Sequence, residues 1–176
     1  MTIEVNKVGT KDYYDEMLYV VSYYRDFINN PNKKIKKFTS FLATYGIISL
    51  ILMGIATFLY LNERSVTYAI ILGIFAFLLV FIILYSFMIN NRIKEFMKDT
   101  STKIINIEKD YVEFKKPELD FKMEKEKLAM ILIGKNSICF LPKEATNLLI
   151  SISTEYKDEV LKGLKENGYE YNGMKI

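Results

Sequence analysis

The 176-residue chain has no histidine, no tryptophan, one cysteine and three prolines. Without histidine it lacks the commonest general base and the commonest metal ligand. A single cysteine excludes disulfide frameworks and thiolate zinc sites. The net charge of +3, from 24 Lys+Arg against 21 Asp+Glu, is too small for the basic face that nucleic acid requires. There is no GxSxG elbow, HExxH helix or dinucleotide fingerprint, and Gly134-Lys135 lacks the remaining glycine and the Ser/Thr of a phosphate loop. Carboxylates pair only as neighbours such as Asp158-Glu159. These absences leave no catalytic set, no metal-ligating set and no cofactor to expect, and they exclude nucleic acid as a partner.

Charge is also missing from two long runs, residues 39–61 and 68–89. Crossing a hydrocarbon core of about 30 Å takes about 20 apolar residues in a helix, so both runs suffice. The second contains 15 Leu, Ile, Val or Phe. Each contributes about 0.3–0.6 kcal/mol at the helix centre, so this run is expected to insert unaided. The first contains 11 such residues and several small or polar ones, which narrows its margin. Two buried helices of a soluble protein are the alternative, but a domain of this size could not cover both. The first run begins near residue 38 without a small-residue cleavage pattern after it, so it does not read as a signal peptide. Both runs are expected to remain in the mature protein.

The connection Asn62-Glu63-Arg64-Ser65-Val66-Thr67 is short and implies an antiparallel helical hairpin in the bilayer. Lys33, Lys34, Lys36 and Lys37 precede it and Arg92, Lys94 and Lys98 follow it, against a lone Arg64 between the runs. That bias places both termini on the cytoplasmic side of the inner membrane, crossed twice. Ala43, Gly46 and Gly54 on the first helix, with Ala69, Gly73 and Ala76 on the second, are the expected seam between the spans. The alternative for these small residues is a homodimer face. Tyr45, Tyr60, Tyr68 and Tyr85 lie toward the span ends, as interfacial aromatics do. Neither run contains an ionisable side chain that would mark a transport pathway.

The chain therefore divides into an N-terminal cytoplasmic segment (1–37), a transmembrane hairpin (38–91) and a cytoplasmic β-rich domain (92–176). Residues 2–8 alternate weakly as a short strand. Thr10 can cap a helix over residues 11–28, in which Tyr13, Met17, Val20, Tyr24 and Phe27 recur at three- and four-residue spacing. This stripe is expected to pack on the C-terminal domain. The competing reading, a helix lying in the membrane interface, suits a lysine-rich polar face; this helix carries Asp12, Asp15, Glu16 and Asp26.

A helical extension over residues 92–99 leads out of the second run. Residues 103–107 and 111–115 flank the turn Glu108-Lys109-Asp110, and residues 119–123, 128–133 and 137–141 supply three more strands. A short helix is expected to start within 143–149, and a terminal helix spans 154–167, stopped by Asn167-Gly168. The fold class is thus membrane α+β: a two-helix hairpin with a cytoplasmic antiparallel sheet or partial barrel closed by a C-terminal helix.

Lys115, Lys116, Lys122, Lys125 and Lys127 form the densest basic stretch. They are interleaved with Glu113, Glu118, Asp120, Glu124 and Glu126, so a solvated sheet face competes with contact to a partner or a headgroup. Lys143 is a further candidate contact, although proline ending a strand and lysine starting a helix explains Pro142-Lys143 locally. Cys139 falls in a strand core and reads as a small hydrophobe rather than a reactive thiol.

Two spans after an aromatic N-terminal helix, followed by a hairpin ending in Cys139-Phe140-Leu141-Pro142-Lys143-Glu144-Ala145, resemble the YcxB-like family of small bacterial membrane proteins. Leu141-Pro142-Lys143 matches its Pro-Lys signature, and Tyr111-Val112-Glu113 sits where the family has an Asp-Gly-Ile hairpin. The family's tryptophan, expected near residues 123–128, is absent. The resemblance implies a bacterial PH-like domain and no enzymatic activity. The leading expectation is a non-enzymatic membrane protein holding a protein-binding domain at the inner face of the membrane. Immunity against a bacteriocin or secreted toxin, with the toxin as partner, is one alternative, and a holin-like or pore-forming protein is another.

Overall fold

A computed structural model describes residues 1–6, 9–30, 32–117, 119–144 and 149–171. The expected extension of the first strand through Lys7 and Val8 lies outside these residues, as do Glu118, Ala145 and most of the expected helix over 143–149.

The chain forms two compact units: Lys37–Lys94, and a second unit that joins both flanks, Met1–Lys36 with Glu95–Ile176. The expected division into three consecutive segments is corrected by β1 (Thr2–Val5), which pairs antiparallel with β2 (Lys103–Ile107), Ile3 facing Ile105. A ladder partner beyond both apolar runs leaves no trace in local periodicity.

In the joined unit, β1, β2, β3 (Tyr111–Lys116) and β4 (Leu119–Glu124) make a four-stranded antiparallel sheet in chain order. Strands β5 (Leu128–Ile133), β6 (Ser137–Pro142) and β7 (Ile150–Ser153) make a three-stranded one. The two sheets share one core. Ile3, Ile105, Ile107, Val112 and Met123 come from the first, and Ile131, Ile138, Phe140, Ile150 and Ile152 from the second. Val160 and Leu164 of the terminal helix α5 (Lys157–Glu166) join them. Strand β7 was not expected, although Ile-Ser-Ile-Ser alternates strictly over its four residues, the shortest run that signals a strand.

Thr10 does cap α1 (Lys11–Ser22), its hydroxyl accepting from the Tyr13 N–H at 3.2 Å. Tyr23 then leaves helical geometry, and α2 (Tyr24–Asn29) follows. The expected single helix is thus two, broken where Val20, Val21, Ser22, Tyr23 and Tyr24 give a run of middling helix formers. Helix α1 packs on β6. Strand β6 is buried at every position, because its even-numbered side chains enter the core and its odd-numbered ones face α1.

In the other unit, α3 (Phe38–Glu63) is followed by α4 (Val66–Phe96), whose last two residues belong to the joined unit. At 1.5 Å per residue they extend about 39 and 46 Å. Both are long and apolar enough to cross a membrane. Only Arg64 and Ser65 separate them, so the connection is shorter than the six residues expected, and Arg64 turns it with a left-handed backbone (φ 49°).

The covered stripe of α3 runs through Leu42, Gly46, Ser49, Met53 and Ala56, and that of α4 through Leu72, Phe75, Leu79, Ile82, Ser86 and Ile89. A Cβ at Gly46 would lie 3.8 Å from Ile82 Cγ2. Of the small residues expected at the seam, Gly46 and Ala76 are half-buried, whereas Ala43, Gly54, Ala69 and Gly73 are exposed. Nothing lies within 4 Å of a Cβ built at Gly54 or Gly73. The stripes step by threes and fours, and Ala43, Gly54 and Gly73 fall one position off them, about 100° around the helix.

Candidate functional site

A densely bonded polar contact in the joined unit is the Glu16 carboxylate, 4% exposed in spite of its charge. One oxygen accepts from the Asn136 backbone N–H and the Ser137 hydroxyl, both at 2.9 Å, and the other from the Asn136 side-chain amide at 2.6 Å. Three donors compensate the desolvation of a buried charge. The turn between β5 and β6 admits the carboxylate because residue 134 is glycine; a Cβ there would stand 2.7 Å from the Glu16 oxygen.

One turn earlier on α1, the Tyr13 hydroxyl bonds Ser151 of β7, 3.0 Å from the carbonyl and 2.7 Å from Oγ. Burial drives the Tyr13 phenol well above its ordinary pKa, more than Ser151 offsets. Burial also pushes the Cys139 thiol up to about 12, so Cys139 is an inert core residue rather than a nucleophile. The Tyr24 hydroxyl donates to the Pro142 carbonyl at the end of β6. Together these bonds tie α1 and α2 to β6, to β7 and to the turn between β5 and β6.

Two of the candidate contact lysines, Lys115 and Lys122, project from one face of the larger sheet. The register sets Lys122 opposite Glu113 and Lys115 opposite Asp120. Lys115 Nζ lies 2.9 Å from Glu113 Oε2, and the Lys122 ammonium sits over the Tyr111 ring, 3.6 Å from its centroid. The Asn106 amide also donates to Glu113 at 2.8 Å, and with Lys115 it holds the Glu113 carboxyl below its usual range. This is a face of alternating charge. Lys116 ends β3 opposite Leu119, and Lys143 lies on the other sheet, exposed, its backbone N–H bonded to the Lys127 carbonyl.

A further charged group is held by rings. The Lys33 ammonium lies 4.6 Å from the centroid of Tyr23, 5.6 Å from Phe27 and 6.0 Å from Tyr19, and 2.8 Å from Asp26 Oδ2. The Asp26 hydrogen bond raises the Lys33 pKa. An open cleft of about 500 Å³, lined by residues 21–26, adjoins it through Tyr23 and Asp26. Among the described residues, no cluster of three His, Cys, Asp or Glu could hold a metal.

The sequence showed Glu16 only as one of four acids on the helix, yet it falls three residues after Tyr13 and four before Val20, on the apolar stripe itself. That spacing was the available signal. The rings around Lys33 follow a second stripe, Tyr19, Tyr23 and Phe27 at four-residue intervals, which the first stripe masked. No family model, curated protein or solved structure matches the chain.

Proposed function

We propose that this chain is a YcxB-like integral membrane protein in which a two-span anchor, with both termini cytoplasmic, carries a PH-like domain that binds another protein at the inner face of the membrane. One observation carries the reading: the Lys37–Lys94 unit exposes large apolar side chains around both helices, with Ile47, Phe58, Phe77 and Phe87 at 59, 64, 71 and 66%. In water such surface costs about 25 cal/mol per Å², whereas lipid solvates it without penalty. The shared core of two antiparallel sheets closed by α5 supports the PH-like part. The histidine-free composition favours binding over catalysis. The alternating face of Glu113, Lys115, Asp120 and Lys122 is the partner surface, where complementary charge gives specificity.

The test is cross-linking in native membranes, with a photoreactive residue placed at Lys122 or, as a control, at Arg64. A single stoichiometric protein adduct from position 122, lost on reversing Lys115 to glutamate, is expected. Release of the protein by alkaline carbonate, or the absence of any adduct, overturns the reading.

A further inference from the structure

We propose that Tyr19, Tyr23, Phe27 and Asp26 form a binding site for a primary ammonium, filled in cis by Lys33, and that with Arg25 it accepts a phosphoethanolamine group. The geometry defines the ligand. Three rings present π faces to one cation, a surface that attracts any ammonium. Asp26 Oδ2, 2.8 Å from Lys33 Nζ, adds a charge-assisted bond that requires an N–H. A quaternary ammonium satisfies the rings and cannot make that bond, so the site discriminates in favour of primary amines. Lys33 itself shows the accepted chemistry: its ammonium takes both interactions at once.

The second half of the ligand follows from what borders the site. Arg25 lines the adjoining cleft with Tyr23 and Asp26. It is exposed and has no ion pair or hydrogen bond among the described residues. Guanidinium is the side chain suited to a phosphate oxygen pair. A ligand bearing an ammonium two carbons from a phosphate therefore finds Asp26 and the rings for one end and Arg25 for the other. When its ammonium replaces that of Lys33, the freed lysine adds a second cation beside the phosphate, and every charge remains paired. Lys33 stands only five positions before Phe38, the first residue of α3. Ethanolamine lipid headgroups are thus one source of the ligand and free phosphoethanolamine is the other. Only the lipid source rests on the membrane reading above.

The experiment uses the full chain in a maltoside detergent, which carries no ammonium, with phosphoethanolamine, phosphocholine and inorganic phosphate as probes and NMR of the tyrosine rings as the readout. Wild type binds weakly because Lys33 competes at a high effective concentration. Lys33→Ala is expected to bind phosphoethanolamine saturably and about tenfold more tightly than wild type. It should prefer phosphoethanolamine to phosphocholine by about fivefold, one charge-assisted bond in a solvated site. Adding Asp26→Asn should abolish that preference. A well-dispersed Lys33→Ala spectrum without saturable binding, or binding indifferent to Asp26, overturns the proposal. In nanodiscs, the ring-current-shifted Lys33 Cε signal should be lost with ethanolamine lipids and kept with choline lipids if the lipid is the source. A signal that is kept in both and lost only on adding soluble phosphoethanolamine assigns the free compound. A signal unmoved by either probe overturns the site in the native chain.

Discussion

Glu16 and Asn136, 120 positions apart, are joined by two hydrogen bonds: the Asn136 backbone N–H donates to Oε2 at 2.9 Å and its side-chain amide to Oε1 at 2.6 Å. With the Ser137 hydroxyl as third donor, this one carboxylate attaches α1 to the turn between the two longest strands of the smaller sheet. Glu16→Ala leaves those donors without an acceptor in a buried site and is expected to cost about 3 kcal/mol. Glu16→Gln should cost less but still measurably, because its nitrogen would face the Asn136 side-chain amide, which must turn over to accept from it. Thermal unfolding in detergent followed by circular dichroism measures both, and a neutral Glu16→Gln would sink the acceptor account.

Gly134→Ala probes the same contact from the other side. A methyl group would enter at 2.7 Å from the Glu16 oxygen and 3.0 Å from Ser137 Oγ. The loss should match that of Glu16→Ala and should not add to it in the double variant, since the two changes remove one contact. Additive losses, read from the same melting curves, would show that the glycine acts independently of Glu16.

Much of this unit was legible locally. The first strands after Lys103 announced themselves through the turn at Glu108-Lys109-Asp110, and the helix cap at Thr10 was readable from residue type. What was not legible depends on distance or on a second surface. Strand β1 is meaningful only against Ile105, on the far side of the apolar runs. The burial of Glu16 is meaningful only once Asn136 and Ser137 meet it. In the helix seam Gly46 meets Ile82, but small residues mark a close approach only where the stripe carries them inward, and a shift of one position sent Gly54 and Gly73 outward.

Joining both flanks in one unit makes the first residues of the chain part of the core. Ile3 is 1% exposed, so Ile3→Ala should destabilise the whole unit by about 3 kcal/mol, as for any buried large-to-small change. By the same logic, residues 95–176 expressed alone should give a poorly dispersed NMR spectrum. Supplying residues 1–36 as a separate chain should restore dispersion. A folded 95–176 fragment that ignores the added segment would show that β1 is dispensable.

The two helices offer a contrast within one unit. Gly46 faces Ile82, where a methyl makes an ordinary contact at 3.8 Å and a larger side chain does not fit. Gly54 and Gly73 face open space. Gly54→Leu and Gly73→Leu should therefore be tolerated, while Gly46→Leu should separate the helices and Gly46→Ala should not. Disulfide trapping between cysteines placed at Ser49 and Leu79, on the two covered stripes and in the register that sets Gly46 against Ile82, reports the approach. Loss of trapping in Gly54→Leu alone would reverse the assignment of the seam.

High pH should unfold the joined unit through groups whose folded-state pKa is raised. Burial takes Cys139 from 9.0 to about 12 and Tyr169 from 10.0 to about 12, and raises Tyr13 further. In each case the folded chain keeps the proton that the unfolded chain gives up. The stability these groups contribute is thus complete below their ordinary values and is lost as pH climbs from about 9 through the folded values. Melting temperatures should be flat from about pH 7 to 9 and fall steeply above. Tyr13→Phe should cost about 1 kcal/mol at neutral pH through the lost Ser151 bond, yet make the alkaline decline shallower, because one protonated group no longer separates the folded from the unfolded chain. An unchanged decline in that variant would mean that Tyr13 ionises without unfolding and that its burial is not what holds the proton.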